Sequence, residues 1–485
     1  MPKPLPRLQI IVLFQNLGER HAYYARCPTP PVSGMLLAAL TPDLVEVELL
    51  HEMVRPIDYE TDADYIALSF MDFCAPHAFE VAARFRRRGK IVIAGGRYAS
   101  TFPEACLPHF DAVVAGEAER VWPRVVEDLV QGRLRPLYQA PPPFASSLEG
   151  IPPPRYDLAE SVFAAPVITE ATRGCPFRCT YCALNIRPSA HRTRPIDDVI
   201  RDLTATTRLP LRKRKLAMLC DNNLGGDLGY AKDLLQEVAK VDLWALGAQF
   251  TFNCLKDDEF LDRFAEAGGA MAFIGLESLN EPSLAAVKKR QNRVREYRYY
   301  FDKLRERGII TFTGVMFALD GDTPEYYRDL PARLEEVDPT AILPSISIPI
   351  PGTPFHRQVE ADGRLFDRDL AHYEGDHLVF LPTTVSPRDV LETYQRVNRE
   401  FYAWPAIARR WGRFMRAYLE RGASLRRAAR AGLLSWIFWQ VSIFERDHAL
   451  RKVFTVEARH RELLRSHRFE SQQPTASSQQ LAPSN

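Results

Sequence analysis

Three of the eight cysteines in this chain, Cys175, Cys179 and Cys182, fall within eight residues, in the stretch Thr172-Arg173-Gly174-Cys175-Pro176-Phe177-Arg178-Cys179-Thr180-Tyr181-Cys182. Thiolates that close together on one loop can converge on successive irons of a cubane, so the spacing suits an iron-sulfur cluster. No fourth cysteine stands nearby. One iron would then lack a protein ligand, and an open coordination position is where a metal does chemistry rather than where it holds a fold. The competing assignment is a structural zinc knot, which wants a fourth Cys or His at regular spacing; His191 is the one histidine close downstream. Cys27, Cys74 and Cys106 have no cluster spacing and read as small apolar residues.

A loop of this kind needs a scaffold, and 485 residues are enough for about two to four domains. Hydrophobic residues make up 46% and charged residues 26%, which allows substantial cores. A net charge of +2 does not favour nucleic-acid binding. The N-terminal residues lack an apolar run of signal-peptide length, and no stretch reaches the roughly 18 apolar residues needed to span a bilayer. A cytoplasmic, reducing location is expected, and it would keep thiolates free to hold a cluster.

Short apolar runs at residues 9–14, 45–50, 65–70, 91–94 and 112–115 read as strands, with helical patterns over 32–40 and 76–88 between them. That alternation predicts an α/β parallel sheet covered on both faces. Small residues mark its strand ends, Ser69, Gly95, Gly96 and Gly116 followed by Glu117. A Rossmann-like sheet binds ligands at that edge, and glycine there lets backbone approach a large planar molecule. Residues 136–156 hold two proline triplets and predict an extended, semi-rigid connector rather than a packed element. Beyond it, strands are expected at 167–172, 216–220, 245–252, 271–278, 310–317 and 341–349. Each ends in polar or glycine residues, such as Asp221-Asn222-Asn223 and Glu277-Ser278. Barrels of alternating strands and helices place their active sites at those ends, and the cysteine loop leaves the first of them.

The pattern C-x3-C-x2-C with Tyr181 ahead of the last cysteine resembles the signature of the radical S-adenosylmethionine (SAM) enzymes. Residues 8–130 resemble the cobalamin-binding domain of the cobalamin-dependent members, a group related to the hopanoid methylases and the anaerobic magnesium-protoporphyrin ester cyclase. The matching pieces are a Pro-Pro segment opening the first helix, Gly95 to Ser100, Pro103-Glu104 and Gly116 to Glu119. Where that group usually shows Gly-Gly-Pro-His-Ala-Thr, this chain has Gly-Gly-Arg-Tyr-Ala-Ser. His21 stands where many cobalamin proteins carry a cobalt-ligating histidine, but the Asp and Gly that accompany it are replaced; a solvated loop histidine is the plainer reading. Gly275 to Ser278, Lys288 to Asn292 and Pro349 to Pro354 follow in the order seen in the same group.

The resemblance implies a Rossmann-like cobalamin-binding domain over residues 1–137, a Pro-rich linker at 138–160 and a partial (β/α)6 radical SAM barrel over 161–360. An α-rich extension at 361–470 and a disordered tail at 471–485 complete the chain. It implies a [4Fe-4S] cluster on Cys175, Cys179 and Cys182, SAM contacts from Tyr181, Asp221, Asn222, Glu277, Ser278 and Gly352, and cobalamin near Ser69, Gly95, Gly96, Gly116 and Glu117. The implied activity is methylation of an unactivated carbon of a small-molecule or lipid substrate through a 5'-deoxyadenosyl radical, with a flavodoxin or ferredoxin as electron donor. Alternatives are a radical cyclase or oxidoreductase without methyl transfer, and a non-catalytic cobalamin- or cluster-binding protein. His372 and His377 are candidates for the substrate pocket.

Eight arginines between Arg409 and Arg430 face only Glu420 in opposition, and the apolar run 433–444 follows. Such a stretch is expected to be a helical subdomain packed on the barrel with a solvated basic face. The other reading is peripheral contact of residues 409–444 with the inner membrane.

Overall fold

Two six-stranded parallel sheets organise the computed structural model, which describes residues 4–14, 29–142, 147–160, 162, 164–187, 190–210, 216–422 and 425–465; of these, the side chains of 425, 426, 448 and 450–465 are not described. His21, Cys27 and residues 471–485 lie outside that set. The first sheet contains β1 (Arg7–Val12), β2 (Glu46–His51), β3 (Tyr65–Ser69), β4 (Ile91–Gly95), β5 (Ala112–Ala115) and β6 (Leu137–Gln139), in the order β2-β1-β3-β4-β5-β6. The order reverses at β1, and an open α/β sheet binds its ligand beside such a reversal, beyond the carboxyl ends of the strands. Both faces are covered. Val32–Leu40 and Trp122–Val130 pack on one core, with Ile10, Ala67 and Ile93; Ala75–Arg86 packs on the other, with Ile66, Leu68 and Val92. Cys74 and Cys106 are buried in the second of these cores, and burial pushes their thiols up to about 12.

The proline-rich connector is not free of packed structure, which corrects the expectation for residues 136–156. Leu137 to Gln139 pair with β5 as an edge strand, so the first sheet runs past residue 137. Proline is compatible with that position because an edge strand leaves one side of its ladder unpaired. Tyr138 is buried with its hydroxyl donating to Asp128 at 2.9 Å, and Leu148 and Ile151 are buried as well.

The second sheet is sequential, β14-β13-β12-β11-β10-β7. Its strands are β7 (Val167–Thr169), β10 (Leu216–Leu219), β11 (Ala245–Phe250), β12 (Gly269–Glu277), β13 (Ile310–Phe317) and β14 (Ala341–Ile346). The short β8 (Thr172–Arg173) and β9 (Arg192–Thr193) pair with each other antiparallel beside it. Along β12 and β13 alternate residues are buried, while Met271, Phe273, Phe312 and Met316 keep part of their surface, as expected of a sheet packed on its helices and open on its concave side. The free edge of β14 is satisfied without a further strand: Ile342 N donates to the Tyr402 hydroxyl at 3.1 Å, Ile346 N to Gly375 O at 2.6 Å, and Arg410 Nε to Thr340 O at 3.3 Å.

Those last contacts come from the C-terminal extension, whose helices are Pro387–Phe401, Trp404–Glu420 and Leu425–Arg465. Its arginines are largely spent on the barrel. Arg410 is buried with its guanidinium 3.7 Å from the Phe401 ring centre, Arg413 pairs with Asp338 and Glu335, and Arg430 donates to Gly269 O at 2.8 Å. Leu434, Ile437 and Phe438 are buried in the barrel's core. No helix among the described residues is long and apolar enough to cross a membrane.

Candidate active site

The cysteine loop begins where the first barrel strand breaks. β7 stops at Thr169, and Asp221 at the end of β10 holds the break: its Oδ1 accepts from Ala171 N at 3.0 Å, from Thr172 Oγ1 at 2.7 Å and from Thr172 N. Asp221 Oδ2 is buried without a hydrogen-bond partner, and burial pushes the carboxyl up to about 7. This residue, expected to contact SAM, braces the start of the loop. Asn222 Oδ1 accepts from Gly174 N at 3.1 Å, and Gly174 has φ of 96°, a left-handed turn that favours glycine. Asn223 is buried, with Nδ2 3.8 Å from Cys175 Sγ and Oδ1 accepting from Thr251.

Later strand ends hold the far side of the loop. Thr180 N donates to Val287 O and Phe355 N to Thr180 O, both at 3.1 Å, while Gln291 Nε2 lies 4.0 Å from Cys179 Sγ. Burial pushes the Cys179 and Cys182 thiols up, and the Lys289 ammonium opposes it. Amide donors and a nearby cation suit sulfurs that carry charge as metal ligands. Among the described residues no three His, Cys, Asp or Glu side chains could share one metal ion. A cubane does not ask for that, because its cysteines bind separate irons, whereas a zinc knot does. The donor set fits a cluster, and His191 faces Asn223 O at 3.2 Å instead.

Beneath the loop three side chains form a buried polar group. The Tyr181 hydroxyl donates to Glu277 Oε1 at 2.9 Å, Lys289 Nζ reaches the same oxygen at 2.6 Å, and Lys289 Nζ lies 3.3 Å from the Tyr181 hydroxyl. Burial acts to lower Lys289, but Glu277 and the cysteines outweigh it, so the ammonium stays charged. Glu277 itself has φ of 66°, unusual for a residue with a side chain, at a register shift between β12 and β13. Two glycines make room for it. A Cβ on Gly275 would come within 2.4 Å of Glu277 Oε1, and one on Gly314 within 3.2 Å of Oε2. Oε1 is thus taken, and Oε2 faces Gly314, where a SAM ammonium or ribose hydroxyl could donate to it.

Two other expected SAM residues have close protein neighbours. Ser278 is buried, its Oγ 3.2 Å from the Tyr326 hydroxyl and accepting from Asn280 N, so it turns away from the loop. Gly352 has φ of 86° and opens the turn before Pro354–Ala361; a Cβ there would lie 3.2 Å from Ile186 of the cysteine loop.

Between this loop and the carboxyl ends of the first sheet lies a cavity of about 1120 Å³. Small-molecule pockets usually span roughly 300–1,000 Å³, so the space admits a large cofactor. Ser69, Gly95, Gly96 and Gly116 line it from one side, Gly174 and Asn222 from the other. Only Gly95 behaves as the approach argument expects, for a Cβ there would meet nothing nearer than Leu68 O at 3.9 Å. Gly96 and Gly116 have φ of 95° and 99°, and a Cβ on them would strike Phe70 O at 2.5 Å or Ala140 Cβ at 2.9 Å. The fold's own backbone requires these two. The open wall at Gly95 and the size of the space fit a corrin.

Glu117 lines the cavity as well, and its carboxylate is ion-paired. Arg173 pairs with Glu117 at 3.2 Å, with Glu119 at 2.7 Å and with Glu170, while Arg192 Nη1 donates to Glu117 Oε2 at 3.1 Å. Burial acts to raise the Glu117 carboxyl, but the two arginines overcome it and leave it below its ordinary value. This ion-paired clasp fastens the first sheet to the residue two places before Cys175. Sequence reasoning missed Glu119, Glu170, Arg173 and Arg192, as it missed Asn223 and Gln291 at the sulfurs; the nearest signals were the second acid of Gly-Glu-Ala-Glu and the polar run after Lys288. His372 and His377 sit 5.0 Å apart, ring centre to ring centre, and do not line the cavity; they pair with Asp367 and Glu374 on a segment packed against Asp72–Cys74.

Residues 169–332 match the family model of the radical SAM superfamily, so this stretch of the barrel is a radical SAM domain. The fold beyond that domain is similar to those of two solved radical SAM proteins that bind cobalamin. The structure of TsrM, a radical SAM methyltransferase from Kitasatospora setae with cobalamin and a [4Fe-4S] cluster bound, covers 74% of this chain and 78% of its own at 19% identity, with a TM-score of 0.54. OxsB, a cobalamin-dependent SAM radical enzyme with aqua-cobalamin bound, covers 91% of this chain and 72% of its own at 14% identity, with a TM-score of 0.61. Among relatives, bacteriochlorophyllide d C-12(1)-methyltransferase of Chlorobaculum tepidum is 26% identical over 78% of this chain and 84% of its own. Hopanoid C-2 methylase of Rhodopseudomonas palustris is 24% identical over 85% and 80%.

Proposed function

We propose that this protein is a cobalamin-dependent radical SAM enzyme that methylates an unactivated carbon of a small-molecule or lipid substrate. The carrying observation is the cavity that the carboxyl ends of the first sheet share with the cysteine loop, Gly95 on one side and Gly174 on the other. When bound, the cluster supplies the electron that opens SAM and the corrin supplies a methyl-carrying cobalt. Cys175, Cys179 and Cys182 hold the cluster, with Asn223 and Gln291 bearing on two of their sulfurs. Tyr181 and Lys289 fix Glu277 so that Oε2 remains for SAM. The Arg173 clasp forms part of one wall of the cavity and holds the first sheet against the cysteine loop.

The two methyltransferase relatives act, by their names, on a bacteriochlorophyllide and a hopanoid. A one-electron donor such as a flavodoxin or ferredoxin completes the reaction. Peripheral contact with an anionic membrane is supported by the exposed Trp404, Trp436 and Ile443, with the Arg446 guanidinium 4.4 Å from the Trp404 ring centre. Replacing those three side chains by serine should lower co-sedimentation with anionic vesicles, and unchanged co-sedimentation counts against the contact.

The test of the activity is anaerobic reconstitution with iron, sulfide and cobalamin, followed by SAM, reductant, and a bacteriochlorophyllide or a hopanoid. A product heavier by one methylene supports methyl transfer. Deoxyadenosine without that gain supports a radical cyclase or oxidoreductase, and a reduced, cluster-loaded protein that never cleaves SAM overturns the enzyme.

A further inference from the structure

The outer side of the cysteine loop differs from its cavity side in charge. Between Val287 and Arg295 the chain reads Val-Lys-Lys-Arg-Gln-Asn-Arg-Val-Arg, five cations and no acidic residue in a protein whose net charge is +2. The fold sorts this segment by direction. Lys289, Gln291 and Asn292 turn inward, to Glu277, to Cys179 and to the carbonyls of Gly275 and Leu276. Lys288, Arg290, Arg293 and Arg295 are exposed, and none of their side chains has an ion-pair partner among the described residues. Arg178, exposed between Cys175 and Cys179, adds a fifth cation and donates only to Cys175 O. The Thr180–Val287 hydrogen bond ties the segment to the loop, and Gln291 brings the patch within one side chain of the Cys179 sulfur.

We infer that this basic rim is the docking surface for an acidic one-electron carrier protein, which reduces the cluster there. The inference rests on the radical SAM reading of the site. Each SAM cleaved requires one external electron: the reduced carrier loses it and the oxidised cluster gains it. Electron transfer falls off steeply with distance, so the carrier must seat beside the cysteine loop; Arg178 stands exposed between two of its cysteines, and Gln291 joins the basic segment to the Cys179 sulfur. Uncompensated cations steer an acidic protein to it and orient it on arrival. An anionic membrane is the poorer occupant, because no large apolar side chain is exposed between Val287 and Arg295.

The experiment uses the full-length, cluster-loaded protein with an acidic bacterial flavodoxin in its fully reduced form, and with dithionite in parallel. Reversing the four charges (K288E, R290E, R293E, R295E) should lower flavodoxin-driven SAM cleavage about tenfold or more and flatten its salt dependence, while dithionite-driven cleavage stays within about twofold of wild type. Carbodiimide coupling read by mass spectrometry should join flavodoxin carboxylates to Lys288 in the wild-type protein. Undiminished flavodoxin-driven cleavage in the variant overturns the inference, as does coupling confined to other lysines. Should the variant also lose dithionite-driven cleavage, the wild-type coupling map decides alone: a link at Lys288 supports the surface and its absence sinks it. Charge-dependent binding of anionic vesicles or transfer RNA without any coupling to flavodoxin reassigns the patch and overturns the proposal. Failure of the underlying reading looks different, for then the wild-type protein cleaves no SAM even with dithionite.

Discussion

The two sheets meet their common cavity in opposite ways. The barrel reaches it through the cysteine loop, which directed contacts hold in place: Asp221, Asn222 and Asn223 on its near side, Gln291 and Lys289 on its far side, with Asn222 and Gly174 lining the cavity itself. The first sheet reaches it through shape, with Gly95 leaving an open wall and the Ser69 hydroxyl in a long contact with that of Ser33 at 3.4 Å. One side is built to fix a few ligating atoms, the other to lie along a broad surface. Where the two touch, Arg173 binds Glu117 and Glu119 of the first sheet to the loop, so the broad surface and the ligating atoms keep one spacing.

The largest effect belongs to the ligating side. Replacing Cys175, Cys179 or Cys182 with alanine should remove the cluster and all SAM cleavage, checked by iron content and deoxyadenosine formation; wild-type levels of either in any of the three would break the comparison at its root. Next is the buried trio. Lys289→Met leaves the Glu277 carboxylate buried without its ammonium, and about 3–5 kcal/mol of stability should be lost, read by denaturant unfolding. Loss of less than about 1 kcal/mol would mean that water already reaches the pair.

The glycines separate fold from binding. Gly96→Ala combines a positive φ with a contact of 2.5 Å to Phe70 O, and should cost about 1–3 kcal/mol in stability. Gly95→Val meets no such wall, and should leave the unfolding midpoint unchanged while weakening cobalamin binding about tenfold, or roughly 1.4 kcal/mol. Equal stability loss in the two variants would remove the distinction between the glycines. The smallest effect concerns Asp221. Its carboxyl is raised from 3.8 to about 7, so the folded protein keeps a proton that the unfolded chain releases above about 4. Its contribution to stability therefore declines as pH rises from about 4 to about 7 and is flat beyond. Asp221→Asn should remove that decline, visible as a smaller difference between unfolding at pH 5 and at pH 8.

Much of this was legible in the chain. Cysteine spacing is a local signal, and short β-branched runs separated by helical patterns gave both sheets, because a parallel strand buried on two faces has little choice of residue. What escaped depended on direction or on distance. Nothing local says that Ser278 turns toward Tyr326, or that Asp221 turns back on Thr172 rather than outward. The Arg173 clasp joins residues far apart in sequence, each ordinary by itself. β6 escaped because three residues between prolines look like a connector until an edge is there to receive them.

The central claim is that one cavity serves both the corrin and the cluster loop. Metal analysis of protein expressed with cobalamin, loaded anaerobically and desalted, tests it most directly when wild type is compared with Gly95→Val. The account requires about one cobalt per four irons in the wild type and a selective loss of cobalt, with iron retained, in the variant. Full iron with no cobalt in the wild-type protein, or cobalt held undiminished by the variant, would contradict it.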